Sequence, residues 1–409
     1  MKKSETEKET GNDFESSNEK PRIIRIMNFL KQRYELRVNE VSQEIECKQN
    51  KSLNAFAEIN QSDLIFELYE AGFTGFKDEF NTLFSSTKIS RYDPFLEYFD
   101  GLQKWEKSDP DYISELAEYV ETDNQKWWKW MFKKHLVRMA GQATGKISFN
   151  KHCLTLIGGQ NPGKTTFLEF LVPPILGCYK KKGFDFKSKD GLISLIQNFL
   201  INLDELGSFD KRELNKFKSI ISESGVRYRP LFANYETTIM RRASFVATTN
   251  HIEFLTDETG NVRWIPFVVH SVKHDNGGAK GYQKNIDINK VWAQAYTLLK
   301  GDFKSYLTAE EVEHQEDFNK RFMKITDEMD VVSRFLRPSK KGNINAEFLS
   351  STEISEYFRT KATTKLYSIP LGKALVTMGF EKLSGYDREK GSRKGYYVEK
   401  IKEPSYLLT

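Results

Sequence analysis

Apolar positions along this chain change their spacing from region to region, and each spacing predicts a different element. Tyr34-Glu35-Leu36-Arg37-Val38 and the stretch Val41 to Ile45 alternate in the manner of half-buried strands and predict a short hairpin. From Asp63 the period becomes helical, with Leu64, Ile65, Leu68 and Tyr69 on one face. A second amphipathic stretch runs from Asp111 to Val120. The aromatic cluster Trp127, Trp128, Trp130 and Phe132 follows, ahead of Lys133, Lys134 and Arg138. Such a cluster can stack bases, but packing between helices accounts for it more simply.

Between about Asn150 and Val269 the apolar runs become short and continuous, as expected for parallel strands buried on both faces. Cys153 to Ile157, Phe199 to Leu203 and Ser244 to Thr249 are such runs, and helical segments separate them. Beyond Val269 come a Gly- and Asn-containing loop, Asp275 to Gly281, a helix around Val291 to Tyr296, and a charge-rich helical stretch from Ala309 to Phe335. Arg337 to Gly342 reads as a linker. The predicted organisation is a disordered tail (1–20), a mostly helical N-terminal domain (21–149), an α/β domain (150–336) and a small last domain (343–402).

Composition narrows the class. A chain of 409 residues is long for one core and suggests two or three domains. Hydrophobic content of 39% and charged content of 29% are those of a soluble globular protein. The formal charge of +5 permits a nucleic-acid partner without requiring one. Cys47, Cys153 and Cys178 are widely spaced and odd in number, which argues against a disulfide framework or zinc spacing and fits a reducing cytoplasm. No apolar run approaches the roughly 18 residues of a membrane span. The polar start, Met1 to Lys20, lacks the apolar core of a secretory signal.

The candidate chemistry lies in the α/β region. Gly158-Gly159-Gln160-Asn161-Pro162-Gly163-Lys164-Thr165 fits G-x-x-x-x-G-K-[ST], and Thr166 follows. Glycines let consecutive N–H groups turn inward toward phosphate oxygens. In that reading Lys164 reaches the β- and γ-phosphates and the Thr165 hydroxyl ligates Mg²⁺. The strand before the loop and the apolar helix after it, Thr166 to Leu171, are the context the motif requires. About forty residues on, the apolar run Phe199 to Leu203 ends in Asp204-Glu205. Asp204 is placed to act on Mg²⁺ and Glu205 to polarise an attacking water as general base. The run Ser244 to Thr249 ends in Asn250, whose amide could hydrogen-bond the γ-phosphate or the water. Arg263, thirteen residues further, is placed to stabilise transition-state charge on a neighbouring subunit's nucleotide.

This ordered series resembles the virulence-associated protein E family, which belongs with the superfamily 3-like helicases of phages and mobile elements. The carriers, within about residues 80 to 335, are Gly158 to Thr165, Leu203-Asp204-Glu205-Leu206, Arg227-Tyr228-Arg229-Pro230, Thr248-Thr249-Asn250, and Phe254-Leu255-Thr256-Asp257 leading to Gly260-Asn261-Val262-Arg263. Upstream, Tyr92-Asp93-Pro94-Phe95 to Asp100-Gly101-Leu102 resembles the family's pre-ATPase segment. Members commonly carry two adjacent arginines after the Gly-Asn; here the first is Val262, so Arg263 is the finger candidate in this loop. The resemblance implies an AAA+-like P-loop ATPase core using ATP and Mg²⁺. It also implies a homo-oligomeric ring, a hexamer, acting on single-stranded DNA, with any primase or replication-initiation activity on another chain.

Two segments are candidates for nucleic-acid contact. In superfamily 3 helicases a hairpin between the Asp-Glu and the Asn grips single-stranded DNA. Here that interval holds Lys211, Arg212, Lys216, Lys218, Arg227, Arg229, Arg241 and Arg242, with Tyr228 and Phe232 suited to stacking. In the last domain Ser351-Thr352-Glu353-Ile354 could cap a helix, and a basic loop, Arg388 to Lys394, precedes Gly395-Tyr396-Tyr397-Val398. This pattern resembles a winged helix. Residues 351–400 hold ten Lys/Arg against six Asp/Glu, so Arg388, Lys390, Arg393 and Lys394 are candidates for phosphate contact. The sequence therefore predicts an ATP-driven helicase or translocase in phage or mobile-element replication. The competing class is an ATP-driven oligomerisation switch, for example in host defence, and unwinding activity separates the two.

Overall fold

The structure is a computed structural model. It describes residues 20–52, 55–160, 163–206, 209, 211–229, 235–255, 261–359, 361–362, 365–387 and 391–401. The expected tail at residues 1–19 lies outside them. The chain divides into two compact units, residues 1–250 with 267–308, and residues 251–266 with 309–409.

The first unit opens with an α/β layer. Helix α1 (Arg22–Arg33) leads into β1 (Tyr34–Asn39), β2 (Ile45–Gln49) and β3 (Ala57–Glu58), followed by α2 (Gln61–Glu70), α3 (Lys77–Ser85) and β4 (Ser90–Tyr92). The strands pair in the order β3-β2-β1-β4, and Ile26, Leu30, Val38, Leu64, Leu68, Phe80 and Phe84 fill the space beneath the helices. The predicted hairpin forms, but its second strand begins at Ile45 rather than Val41. The Asn39 side chain accepts the N–H groups of Val41 and Ser42, and Gln43 takes a left-handed φ of 64°. Those bonds bend residues 40–44 into a turn that alternation alone does not reveal.

Next come α4 (Pro94–Asp100), α5 (Tyr112–Ala117), β5 (Val120–Thr122) and the long α6 (Gln125–Ala143). Asp93 caps α4 by accepting from Phe95 N and Leu96 N, with Pro94 at the first helical position. Trp128 is fully buried, stacked on Phe132 and in edge contact with Phe267. The aromatic cluster is therefore mainly core; a ring the size of Phe132 buried there stabilises by about 3 kcal/mol.

The central sheet contains β6 (Cys153–Ile157), α7 (Lys164–Phe170), β7 (Lys180–Lys182), α8 (Lys189–Gln197) and β8 (Leu200–Leu203). After α9 (Lys211–Ile220), the strands β9 (Gly225–Tyr228) and β10 (Thr237–Met240) pair as a separate antiparallel hairpin. Then follow β11 (Ser244–Thr249), β12 (Trp264–Val272), α10 (Tyr282–Asn285) and α11 (Ile288–Lys300). Strand order is β5-β12-β6-β11-β8-β7, with β6, β11, β8 and β7 parallel. Every residue of β6, β8 and β11 is buried, which is why these strands read as unbroken apolar runs. The N-terminal region is not separate from this sheet: β5 pairs with β12, and Phe95 and Phe99 pack on Phe199 and Trp292. The expected boundary at 149/150 thus falls inside one unit.

The second unit contains α12 (Ala309–Asn319), α13 (Asp327–Phe335), β13 (Leu336–Pro338), β14 (Glu347–Leu349), α14 (Ser351–Phe358), α15 (Ser368–Thr377), β15 (Lys382–Asp387) and β16 (Gly391–Lys400). Its antiparallel sheet runs β13-β16-β14, with β15 also pairing β16. The core joins Val332 and Leu336 to Ile354, Phe358, Leu371, Leu375, Tyr396 and Val398. It therefore takes in α13 and β13, ahead of the expected start at 343, and Pro338 of the expected linker pairs with Val398. The helix expected to be capped near Ser351 is capped by Ser350, in a reciprocal capping box with Glu353.

Candidate phosphate-binding site

Three buried strands position the site. Leaving β6, the chain turns at Gly158, whose N–H donates to Thr249 O. A Cβ at 158 would sit 2.7 Å from the Val269 carbonyl oxygen, so only glycine lets β12 approach this closely. Gly163 takes a φ of 79° at the start of α7, a conformation that disfavours other residues. Gly159 and Gln160 are exposed; Asn161 and Pro162 lie outside the described residues.

Lys164 is buried. Its Nζ donates to the carbonyl oxygens of Gly158 (2.8 Å) and Gly159 (2.7 Å) and to the Asn250 amide oxygen (3.3 Å). Burial lowers its pKa, and the Asp204 carboxylate opposes that shift. The Thr165 hydroxyl lies 3.4 Å from Asp204 Oδ1, and the same oxygen accepts from the Thr248 hydroxyl. The register explains this meeting. Ala247 pairs with Leu203, so Thr248 and Asp204 are neighbours just past the paired ends, and Asn250 follows Thr248 on the same face. Glu205 is exposed and held in a left-handed conformation, φ 54°. Thr166 is exposed on the first turn of α7.

The sequence series Lys164, Thr165, Asp204, Asn250 is thus brought together, and Thr248 joins it. Alternation along β11 from Asn250 was the signal that could have identified Thr248. A loop of this shape can direct N–H groups and one ammonium at phosphate oxygens. The Thr165 hydroxyl and the Asp204 carboxylate form a hard oxygen pair that could hold Mg²⁺, whose remaining ligands come from phosphate and water. Among the described residues no group of three or more His, Cys, Asp or Glu is placed to hold a metal by itself.

Arg263 ends a short turn, Asn261–Arg263, in the second unit. Two buried amides of α12 hold that turn: Asn319 Nδ2 donates to Asn261 O (2.7 Å) and Trp264 O (3.1 Å), and Gln315 donates to Asn319 Oδ1 (2.8 Å). Sequence reasoning gave these amides no role. Thr256 to Gly260 lie outside the described residues.

Several basic candidates have structural partners. Arg241 is fully buried, donates to the carbonyl oxygens of Ala243, Ile221 and Asn150, and lies over the Phe245 ring. Burial pushes its pKa down to about 9, so it is still charged at neutral pH. Arg242 donates to Ala143 O and to Asp93. Arg393, expected to meet phosphate, pairs with Glu353 and donates to Phe348 O. Arg227 is exposed on the β9–β10 hairpin, 3.3 Å from Glu236, and Arg229 follows β9. Lys394 is exposed on β16. Phe232, Arg388 and Lys390 lie outside the described residues.

A Gly-Lys-Thr segment that leads into a helix beside a parallel sheet, with an Asp and an Asn at the neighbouring strand ends, places the chain among mixed α/β proteins with a parallel-strand sheet. The chain belongs to the virulence-associated protein E-like domain family, which it matches over residues 100–324. No curated protein sequence matches it. Among solved structures, the C-terminal region of NrS-1 (305–718) in its apo form aligns over 94% of this chain and 100% of that one, at 12% identity and a TM-score of 0.51. That likeness extends to the fold. Two helicase structures align more loosely. SCCmec type IV Cch, an active helicase, has 11% identity and a TM-score of 0.36 over 90% of this chain and 92% of that one. The inhibitor-bound JCV helicase has 12% identity and a TM-score of 0.28 over 66% and 74%. Among the described residues no helix is long and apolar enough to cross a membrane.

Proposed function

We propose that this protein is an ATP-dependent helicase or translocase acting on single-stranded DNA in the replication of a phage or mobile element. The observation that carries the reading is the meeting of Lys164, Thr165, Asp204, Thr248 and Asn250 at the ends of three adjacent buried strands. In this reading the loop 158–165 and Lys164 hold the phosphates of ATP. Thr165 and Asp204 would hold Mg²⁺, which would supply charge neutralisation to the phosphates. Asp204 is kept oriented by Thr248. Glu205 takes a proton from the attacking water, and Asn250 orients that water or the γ-phosphate. Arg263 acts on the nucleotide of the next subunit in a homo-oligomeric ring, with a hexamer as the expected size. Arg227 and Arg229 on the β9–β10 hairpin grip the strand, and the helices α13–α15 with the β15–β16 hairpin serve as a winged-helix-like module.

One observation favours the competing reading, an ATP-driven oligomerisation switch without unwinding. Arg241, Arg242 and Arg393 are engaged inside the protein, which leaves fewer basic groups for a strand. Single-turnover unwinding of forked DNA and forked RNA with ATP and Mg²⁺ decides between the two. Strand separation on DNA that requires an intact Lys164 is the expected result. ATP hydrolysis with no strand separation on either substrate selects the switch.

A further inference from the structure

A residue that no motif includes lies against the phosphate loop. His274 follows β12, and its ring occupies the place a side chain at Gly163 would take: Cδ2 would be 2.7 Å, and Nε2 3.4 Å, from a Cβ there. The loop behind it fixes the ring. His274 Nδ1 accepts the Asn276 N–H at 3.0 Å, so in the neutral imidazole the proton resides on Nε2. Asp275 and Asn276 take left-handed φ values of 45° and 46°, which Asp and Asn tolerate better than other residues with a Cβ, and Gly277 continues at 82°. The turn closes through Gly277 N to His274 O (2.9 Å) and Lys280 N to the Asp275 carboxylate (2.9 Å).

We infer that His274 is a phosphate-binding residue of this site, donating its Nε2–H to the polyphosphate of the nucleoside di- or triphosphate held by the loop. The inference rests on the nucleotide reading above. Three features carry it: the ring edge faces the loop glycine that precedes Lys164, the tautomer is set by a backbone donor, and a hydrogen-bonded turn holds the geometry. A space-filling plug would need none of these, since an apolar ring of the same size would serve.

The test uses the full chain and calorimetric titration with Mg²⁺-ADP and with inorganic pyrophosphate. His274→Ala is expected to weaken both by about tenfold, the effect of one hydrogen bond to a charged acceptor. His274→Gln, whose amide N–H can donate, is expected to bind within about threefold of the parent. His274→Phe, which fills the space without a donor, should resemble Ala. Thermal midpoints identify any variant that fails to fold, and the Gln/Phe pair then decides. Parent-like binding by His274→Ala overturns the inference, as does equal rescue by Phe and Gln. Weakened ADP with unchanged pyrophosphate moves the contact to the nucleoside and overturns it too. A parent protein that binds neither probe sinks the nucleotide reading itself.

Discussion

The strand-end cluster and the arginine-rich segments draw on similar charged side chains and use them differently. At the ends of β8 and β11, Asp204 and Asn250 follow strands buried along their whole length, and the first residues of α7 meet them: Lys164 bonds to Asn250 and Thr165 to Asp204. In the segments around Arg241 and Arg393 the guanidinium groups turn back to backbone carbonyls and to Glu353. A short side chain at the end of a rigid strand has little choice of neighbour. An arginine has five donors and a long stem, so nearby carbonyls capture it unless something better is offered. Charge at a strand end is therefore strong evidence of chemistry, and charge in a basic run is weak evidence of a ligand.

The sharpest break in this comparison would come from Lys164→Ala. Turnover of ATP should fall below detection in a protein that still folds, as its thermal midpoint checks; among the described residues the ammonium bonds to the carbonyls of Gly158 and Gly159 and to Asn250. Wild-type hydrolysis by the folded variant would falsify the nucleotide assignment. Arg263→Ala should lose about 10³-fold in hydrolysis while still binding nucleotide. Mixing it with Lys164→Ala subunits should restore activity that rises with total protein concentration, since each composite site needs both chains. A flat zero from co-assembled mutants removes Arg263 from the active site. Glu205→Gln should retain binding and lose about 10²-fold in rate, measured by single-turnover hydrolysis.

On the other side of the comparison the expected effects are on stability. Arg241→Met removes donors from buried carbonyls and should destabilise by about 3 kcal/mol in urea titration, with DNA affinity per folded molecule unchanged. Arg393→Ala should cost about 1 kcal/mol of stability and leave DNA affinity within twofold, whereas Lys394→Ala should show the reverse balance. If Arg393→Ala weakens DNA binding more than Lys394→Ala does, the division between structural and ligand-binding basic residues fails in that domain.

These differences also explain what could be read before the structure. The P-loop, the Asp-Glu and the Asn were visible because each ends an apolar run that only a buried parallel strand produces. Thr248 was half visible, two residues before Asn250. His274 was not, because its nearness to Gly163 depends on β12 lying next to β6, a sheet order that local spacing does not encode. Arg241 looked like part of a basic face because its partners, Asn150 and Ile221, are distant in sequence. In the N-terminal region the strands β1 to β4 are short, and the turn at 40–44 depends on one Asn39 side chain.

Glu205 invites a last consequence. It takes a left-handed backbone, φ 54°, at a non-glycine position, which costs about 1–2 kcal/mol relative to an unstrained residue. Glycine or asparagine at 205 would relieve that strain and remove the proposed base in the same step. A library selected by thermal challenge alone should therefore enrich those replacements, and the survivors should bind nucleotide without consuming it. At this position, heat resistance and turnover pull the sequence in opposite directions.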